Sequence, residues 1–307
     1  MKILIELPTW LGDSAMVTPA IENLVSHFYD AEIILIGSKA STELLSYHPK
    51  VVRTYILKKN YLNFFKIRKI GKFDLFISFR SSLRSTILKF CISSQKKFQF
   101  NKSKFNSGHQ VEKYNQFINT ITKINNIPSK LIIYSSTEFR DSKRKLLGIN
   151  PGASYGNAKR WYPKKFAQVA GILSSEYDVV ILGGAGEKEI SSDIETSLIQ
   201  EGIDNYQNLT DKTTITQLVH QIKNLDLLIT GDSGPMHLAA AFQVPTVSIF
   251  GPTRDTETSQ WLNKKSKIVK KDLECQPCMK RSCPLIHHNC MKLVEASEVI
   301  EAVRLLN

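Results

Sequence analysis

The sequence predicts an α/β protein built as two doubly wound parallel-sheet domains, and three observations predict it. At 307 residues the chain is long for one core and comfortable as two domains of about 150 residues. Short apolar runs alternate with helical stretches along the whole length, the pattern of a parallel sheet covered on both faces. Four strands of the second half run into glycine-containing turns, and in open α/β sheets such carboxyl-end loops are where ligands bind.

The first half opens with a strand over Lys2–Leu7, a turn over Pro8–Asp13 and a helix from Ser14 to Phe28. A strand at Ala31–Gly37, helical residues at Thr42–Tyr47, and strands at Val51–Leu57 and Phe73–Ser78 follow. Ser135 to Lys145 is polar and weakly periodic, which places a boundary between domains at 1–141 and 142–307. The second half repeats the alternation. Strands at Leu147–Asn150, Val179–Leu182, Leu225–Thr230 and Thr246–Phe250 end in Pro151-Gly152, Gly183-Gly184, Gly231-Asp232-Ser233-Gly234 and Gly251-Pro252-Thr253. Helices are expected at Pro163–Ser175, Glu187–Gln200, Thr214–Lys223 and from His237, with a last amphipathic helix over 293–307.

Composition excludes several classes. Hydrophobic residues at 42% and charged residues at 22% are ordinary for a globular chain. There is no apolar run of about 18 residues and no secretory h-region, so the chain is expected in the cytoplasm. The net charge of +13 is uneven. Residues 1–150 carry 24 Lys/Arg against 10 Asp/Glu, and residues 151–307 carry 17 against 18. Such a half either meets something anionic or is a solvated basic surface. Four of the five cysteines fall between Cys275 and Cys290, which without a signal peptide argues against a disulfide framework. Their spacing, with His287 and His288 nearby, fits either a structural zinc site at Cys275, Cys278, Cys283 and Cys290 or reduced thiols packed in a subdomain. No recognition-helix motif supports nucleic-acid binding.

The glycine turns carry the chemistry. Gly231-Asp232-Ser233-Gly234 leads a strand into a helix whose first N–H groups favour an anion such as a diphosphate. Ser233 or Asp232 could cap that helix, and His237 could donate to a phosphate oxygen; a plain capped turn with a packed histidine is the alternative. Lys159 and Arg160 follow the turn at Asn150–Tyr155 and suit neutralising a diphosphate leaving group without a metal. Glu187 and Glu189, after Gly183-Gly184, offer carboxylates to ribose hydroxyls. The first βα turn lacks G-x-G-x-x-G, which weakens a dinucleotide-dehydrogenase reading. Asp13 in Trp10-Leu11-Gly12-Asp13 is either an N-cap or a general base for an acceptor hydroxyl.

The chain resembles the bacterial lipopolysaccharide heptosyltransferases over nearly its whole length. The match rests on Leu7-Pro8-Thr9-Trp10-Leu11-Gly12-Asp13, His109-Gln110-Val111-Glu112-Lys113-Tyr114, Pro151-Gly152-Ala153 and Lys159-Arg160-Trp161-Tyr162-Pro163. It continues through Gly231-Asp232-Ser233-Gly234-Pro235-Met236-His237 and Phe250-Gly251-Pro252-Thr253, and the run Cys275 to Cys290 looks like type II members. The resemblance implies a GT-B fold, two Rossmann-like domains with an interdomain cleft. It implies a metal-independent, inverting transfer of heptose from ADP-heptose, with no cofactor. The acceptor would be heptosyl-Kdo2-lipid A at the cytoplasmic face of the inner membrane. By motif, Asp13 is the base, and Ser154 and Lys159 hold the diphosphate. Asp232, Ser233, Gly234 and His237 hold the donor's sugar and phosphates, and Thr213 borders the adenine. Glu187 and Glu189 flank the ribose position, which is Lys188 here. Any zinc at the cysteines would be structural. The basic first half would face the membrane and the acceptor's phosphates, with Arg80 and Arg84 as the contacting cations. A related transferase using another nucleotide sugar or acceptor is the alternative within the same fold.

Overall fold

A computed structural model describes residues 1–58, 67, 69–135 and 144–306. The chain divides into two units, Met1–Ser136 and Thr137–Asn307. The boundary expected at 141/142 lies outside the described residues.

Five strands form the sheet of the first unit: β1 (Lys2–Glu6), β2 (Glu32–Gly37), β3 (Val51–Ile56), β4 (Phe73–Ser78) and β5 (Ser94–Gln99). All pair in parallel, in the order β3-β2-β1-β4-β5. The central strand β1 is buried from Ile3 to Glu6, as expected of a strand covered on both faces. Leu4, Ile34, Ile36, Phe73, Phe76 and Leu88 pack as one core cluster there. The helix expected over Ser14–Phe28 is two, α1 (Leu11–Met16) and α2 (Thr18–His27), because Pro19 lacks an amide donor and sits in the first turn of a new helix. The helix read at Thr42–Tyr47 starts earlier, as α3 (Lys39–Leu44), capped by Ser38, whose hydroxyl accepts from the Ser41 amide. Two further helices lie among the described residues of this unit, α4 (Leu83–Cys91) and α5 (Gln110–Thr122). A capping box starts α5: His109 Nδ1 accepts from the Val111 amide and Glu112 accepts from the His109 amide at 2.6 Å.

The second unit holds β6 (Lys145–Asn150), β7 (Tyr177–Ile181), β8 (Tyr206–Asn208), β9 (Leu227–Gly231), β10 (Thr246–Phe250) and β11 (Ser266–Lys270). They too are all parallel, in the order β11-β10-β9-β6-β7-β8. Helices α6 (Pro163–Leu173), α7 (Lys188–Gln200), α8 (Ile215–Lys223), α9 (Gly234–Ala241), α10 (Asp255–Thr258), α11 (Asn289–Lys292) and α12 (Ala296–Arg304) connect or cover them. The helix expected from His237 begins at Gly234, directly on the end of β9. Leu147, Ile149, Val179, Leu227, Ile229, Val247 and Ile249 share one core with Trp161 and Phe166. Each such side chain contributes about 1.5–3 kcal/mol by leaving water.

Both sheets reverse their winding direction at one place, between β1 and β4 in the first unit and between β6 and β9 in the second. In open sheets of this kind the loops at the carboxyl ends of the strands flanking the reversal are the usual ligand position. Among the described residues no helix is long and apolar enough to cross a membrane.

Candidate active site

The loops after β6 and β9 are tied together at the reversal point of the second sheet. Asn150, 2% exposed at the end of β6, accepts on Oδ1 from Thr230 Oγ1 at 3.1 Å and from Ser233 Oγ at 2.8 Å. Its amide donates to the Leu182 carbonyl, so it also holds the end of β7. Neither Ser233 nor Asp232 caps α9 with its side chain, contrary to expectation. Both side chains are already engaged: Ser233 with Asn150, and Asp232 with Lys159 and Thr253. The amides at the start of α9 therefore have no side-chain cap, beside Gly234, which adds no Cβ.

Lys159 reaches Asp232 Oδ2 with Nζ at 2.5 Å, and Thr253 Oγ1 donates to the same oxygen at 2.7 Å. The two charged side chains are 12% and 5% exposed. A sheltered ion pair is tolerable only where further hydrogen bonds compensate the desolvation, and Thr253 supplies one. Tyr155 places its ring 4.8 Å from Lys159 Nζ. Just beyond, Trp161 is buried and donates to the Val294 carbonyl, which fixes the loop to the core. The result is a positive group held rigidly at the carboxyl ends of β6 and β9.

The third loop follows β7. Glu187, 9% exposed, accepts from the Gly184 amide at 2.6 Å. Its carboxyl lies against Gly152, where a Cβ would stand 1.9 Å from the carboxyl carbon. A side chain at position 152 would have to displace the Glu187 carboxyl, so the glycine lets the lysine loop and the carboxylate loop meet. The other expected donor residues are placed less tightly. Glu189 is exposed on the first turn of α7, Ser154 is exposed beside Gly152, and Thr213 is half-buried just before the N-cap of α8. His237 is 3% exposed within α9.

The cysteine segment packs on this site. The Arg281 carbonyl accepts from the Ala158 amide at 3.0 Å, and His288 Nε2 pairs with the Ala158 carbonyl at 2.9 Å. Met279 donates its amide to the Pro252 carbonyl and accepts from Tyr155 Oη, while Gln276 donates to the Gly251 carbonyl. Cys275, Cys278, Cys283 and Cys290 line one small cavity with Pro252 and His288. All are free thiols, and burial among the other three pushes Cys290 up to about 11. Among the described residues no group of three or more His, Cys, Asp or Glu is placed to hold a metal ion.

In the first unit, Asp13 lies in the first turn of α1, with Trp10 as the N-cap, so it is not the cap. Tyr114 of α5 donates its hydroxyl to Asp13 Oδ1 at 3.2 Å. Burial first, then the Asp13 charge, holds the Tyr114 phenol well above its ordinary range. At the sheet reversal, Glu6 ends β1 fully buried. It accepts from Ser78 Oγ at 2.6 Å and Ser85 Oγ at 2.9 Å, and Arg80 Nη1 lies 3.5 Å away. Burial raises its carboxyl, partly opposed by Ser78, Arg80 and Ser85. Arg84 donates to the Lys58 carbonyl. Glu6, Tyr114, Asn150 and Thr253 carry no role in the sequence reading. The signal for Glu6 is a carboxylate inside an otherwise apolar central strand.

Residues 126–288 match glycosyltransferase family 9 (heptosyltransferase). Lipooligosaccharide heptosyltransferase 2 of Campylobacter jejuni is 43% identical over 316 aligned residues, spanning 99% of this chain and 98% of that protein. Among solved structures, E. coli ADP-heptose lps heptosyltransferase II superposes with a TM-score of 0.83 at 22% identity, covering 100% of this chain and 98% of the other. E. coli heptosyltransferase WaaC with ADP gives 0.81 at 13% identity over the full length of both. At those identities the superpositions show the fold, two Rossmann-like parallel-sheet units of the GT-B class. The family match and the near-full-length relative settle the rest: the chain belongs to glycosyltransferase family 9, the heptosyltransferases.

Proposed function

We propose that this protein transfers heptose from ADP-heptose to the heptose of heptosyl-Kdo2-lipid A, in lipopolysaccharide inner-core synthesis at the cytoplasmic face of the inner membrane. The observation that carries the reading is the Lys159–Asp232–Thr253 cluster at the carboxyl ends of β6 and β9. A fixed cation beside uncapped helix amides suits a diphosphate that gains charge as it leaves. The heptosyltransferase name of the Campylobacter relative and the ADP-heptose in the name of the E. coli enzyme support the sugar and the nucleotide.

Asp13 removes the proton from the acceptor hydroxyl as its oxygen attacks the anomeric carbon. The bond from that carbon to the donor's β-phosphate oxygen breaks, ADP departs with the electron pair, and the configuration inverts. Lys159 and the amides at Gly234 neutralise the departing diphosphate, with Ser154, Ser233 and His237 as further donors. Glu187 or Glu189 takes the ribose hydroxyls, and Thr213 borders the adenine. Arg80 and Arg84 meet the anionic acceptor. No metal enters these steps.

The test is transfer with ADP-heptose set beside UDP- and GDP-sugars, on heptosyl-Kdo2-lipid A. Turnover is expected with ADP-heptose alone, and equal use of another donor overturns the donor assignment. Asp13→Ala is expected to lose roughly 100- to 10,000-fold in kcat, the usual contribution of a general base, while binding ADP as before. Retained turnover in that variant rejects Asp13 as the base.

A further inference from the structure

Helix α4 is built the wrong way round for a surface helix. Its inner face is made by Ser85 and Leu88, both fully buried, with Ser85 bonded to Glu6. Its outer face carries Leu83, Ile87 and Phe90, which are 78%, 38% and 78% exposed. At 100° per residue these three fall within an arc of about 60°, opposite the buried pair. Arg84 and Lys89 lie on either flank of that stripe, and exposed Lys96 lies on β5, the neighbouring edge strand. A contiguous apolar stripe of this kind on a monomer surface marks a contact site.

We infer that the outer face of α4 docks on an anionic phospholipid bilayer, with Leu83, Ile87 and Phe90 entering the headgroup boundary and the surrounding cations meeting lipid phosphates. Charge selects this occupant. Residues 79–104 carry seven Lys/Arg and no Asp/Glu. A two-fold contact between copies would set this cationic surface against itself. An anionic membrane satisfies both the apolar stripe and its basic frame, the pattern of an interfacial helix. The inference deepens the proposed function, on which it rests for its purpose, by naming the surface that brings the enzyme to a lipid-borne acceptor.

Flotation with vesicles of phosphatidylcholine, with and without one quarter phosphatidylglycerol, tests it. Wild-type protein is expected to float with the anionic vesicles and not with the neutral ones. The variant Leu83→Ser/Ile87→Ser/Phe90→Ser is expected to lose at least tenfold in partitioning. Transfer to a de-acylated, water-soluble acceptor should be unchanged, because the three substitutions alter none of the residues proposed to bind donor or acceptor. Should the triple variant fold poorly, Phe90→Trp gives a second reading: its extra fluorescence should shift to the blue on adding anionic vesicles. Equal partitioning of wild type and variant, or no shift at Trp, overturns the proposal. So does a wild-type dimer in sedimentation that the triple variant dissociates, since the face would then join copies. Vesicle binding by a protein that transfers nothing to the soluble acceptor would instead sink the proposed function and leave the docking surface standing.

Discussion

Glu6 and Asp13 are carboxylates a few residues apart, and their surroundings separate their roles. Asp13 is half-buried and accepts the Tyr114 hydroxyl. Glu6 is fully buried and receives two, with Arg80 alongside, so it holds the residues at the end of β4 rather than moving protons. Its carboxyl is raised above the ordinary 4.5 because burial outweighs its donors. The folded state therefore binds that proton more tightly than the unfolded chain. The stability Glu6 contributes is complete below pH 4.5 and is lost as pH rises through the raised folded value. Chemical denaturation of wild type and Glu6→Gln across pH should show the difference between them shrinking in the wild type's disfavour as pH rises over that window. A difference independent of pH overturns the burial account. Glu6→Ala, which strands the Ser78 and Ser85 hydroxyls, should cost about 1–3 kcal/mol below pH 4.5 and less as pH rises through the raised value. At this scale the glycine turns themselves were legible, since each ends an apolar strand, and the fold brings Lys159, Asp232 and Glu187 to the carboxyl ends of neighbouring strands. Tyr114 was visible inside His109–Tyr114 but had no role, because its partner lies 101 positions away. Only the fold brings α1 and α5 together.

At the scale of elements, the second unit's site is a set of loops held from behind. The cysteine segment exchanges hydrogen bonds with the lysine loop, accepting from the Ala158 amide and pairing His288 with the Ala158 carbonyl, and donates to the Gly251–Thr253 loop. That arrangement supplies a reason for the segment that does not depend on metal. Gly156 is where the contact is tightest: a Cβ there would stand 2.3 Å from the Arg281 carbonyl oxygen, and backbone cannot swing aside as a side-chain end can. Gly156→Ala is expected to cost about 1–3 kcal/mol, the usual penalty of overpacking, and to raise the donor KM with little change in kcat. A variant with wild-type stability and donor KM would show that the segment does not set the loop. Legibility at this scale followed burial except at the edge strand β3, which is mostly exposed but rich in β-branched and aromatic residues. Central strands such as Thr246–Phe250 are buried throughout and announced themselves as apolar runs. The edge strands β5, β8 and β11 read Ser-Gln-Lys-Lys-Phe-Gln, Tyr-Gln-Asn and Ser-Lys-Ile-Val-Lys, and their exposed residues erase the signal. Helix α4 was hidden for a related reason, since its apolar residues point outward.

For the whole molecule, the decisive fact is that two complete sheets share one chain, each with its own core and its own reversal point. The split in charge follows the same division, so the sequence alone separated a basic half from a near-neutral half. Every residue proposed to hold the donor lies in the second unit, from Ser154 to His237. Its six strands are ordered from β6 outward on both sides and need no strand from the first unit. A fragment spanning Thr137–Asn307 is therefore expected to unfold in one cooperative transition. It should bind ADP within about tenfold of the full chain's affinity, a difference of about 1.4 kcal/mol. It should transfer no sugar, because Asp13 is absent. Calorimetric titration of the fragment with ADP decides the matter. A cooperatively folded fragment that fails to bind the nucleotide would take the donor assignment away from Lys159, Asp232 and Glu187, whatever the full chain does.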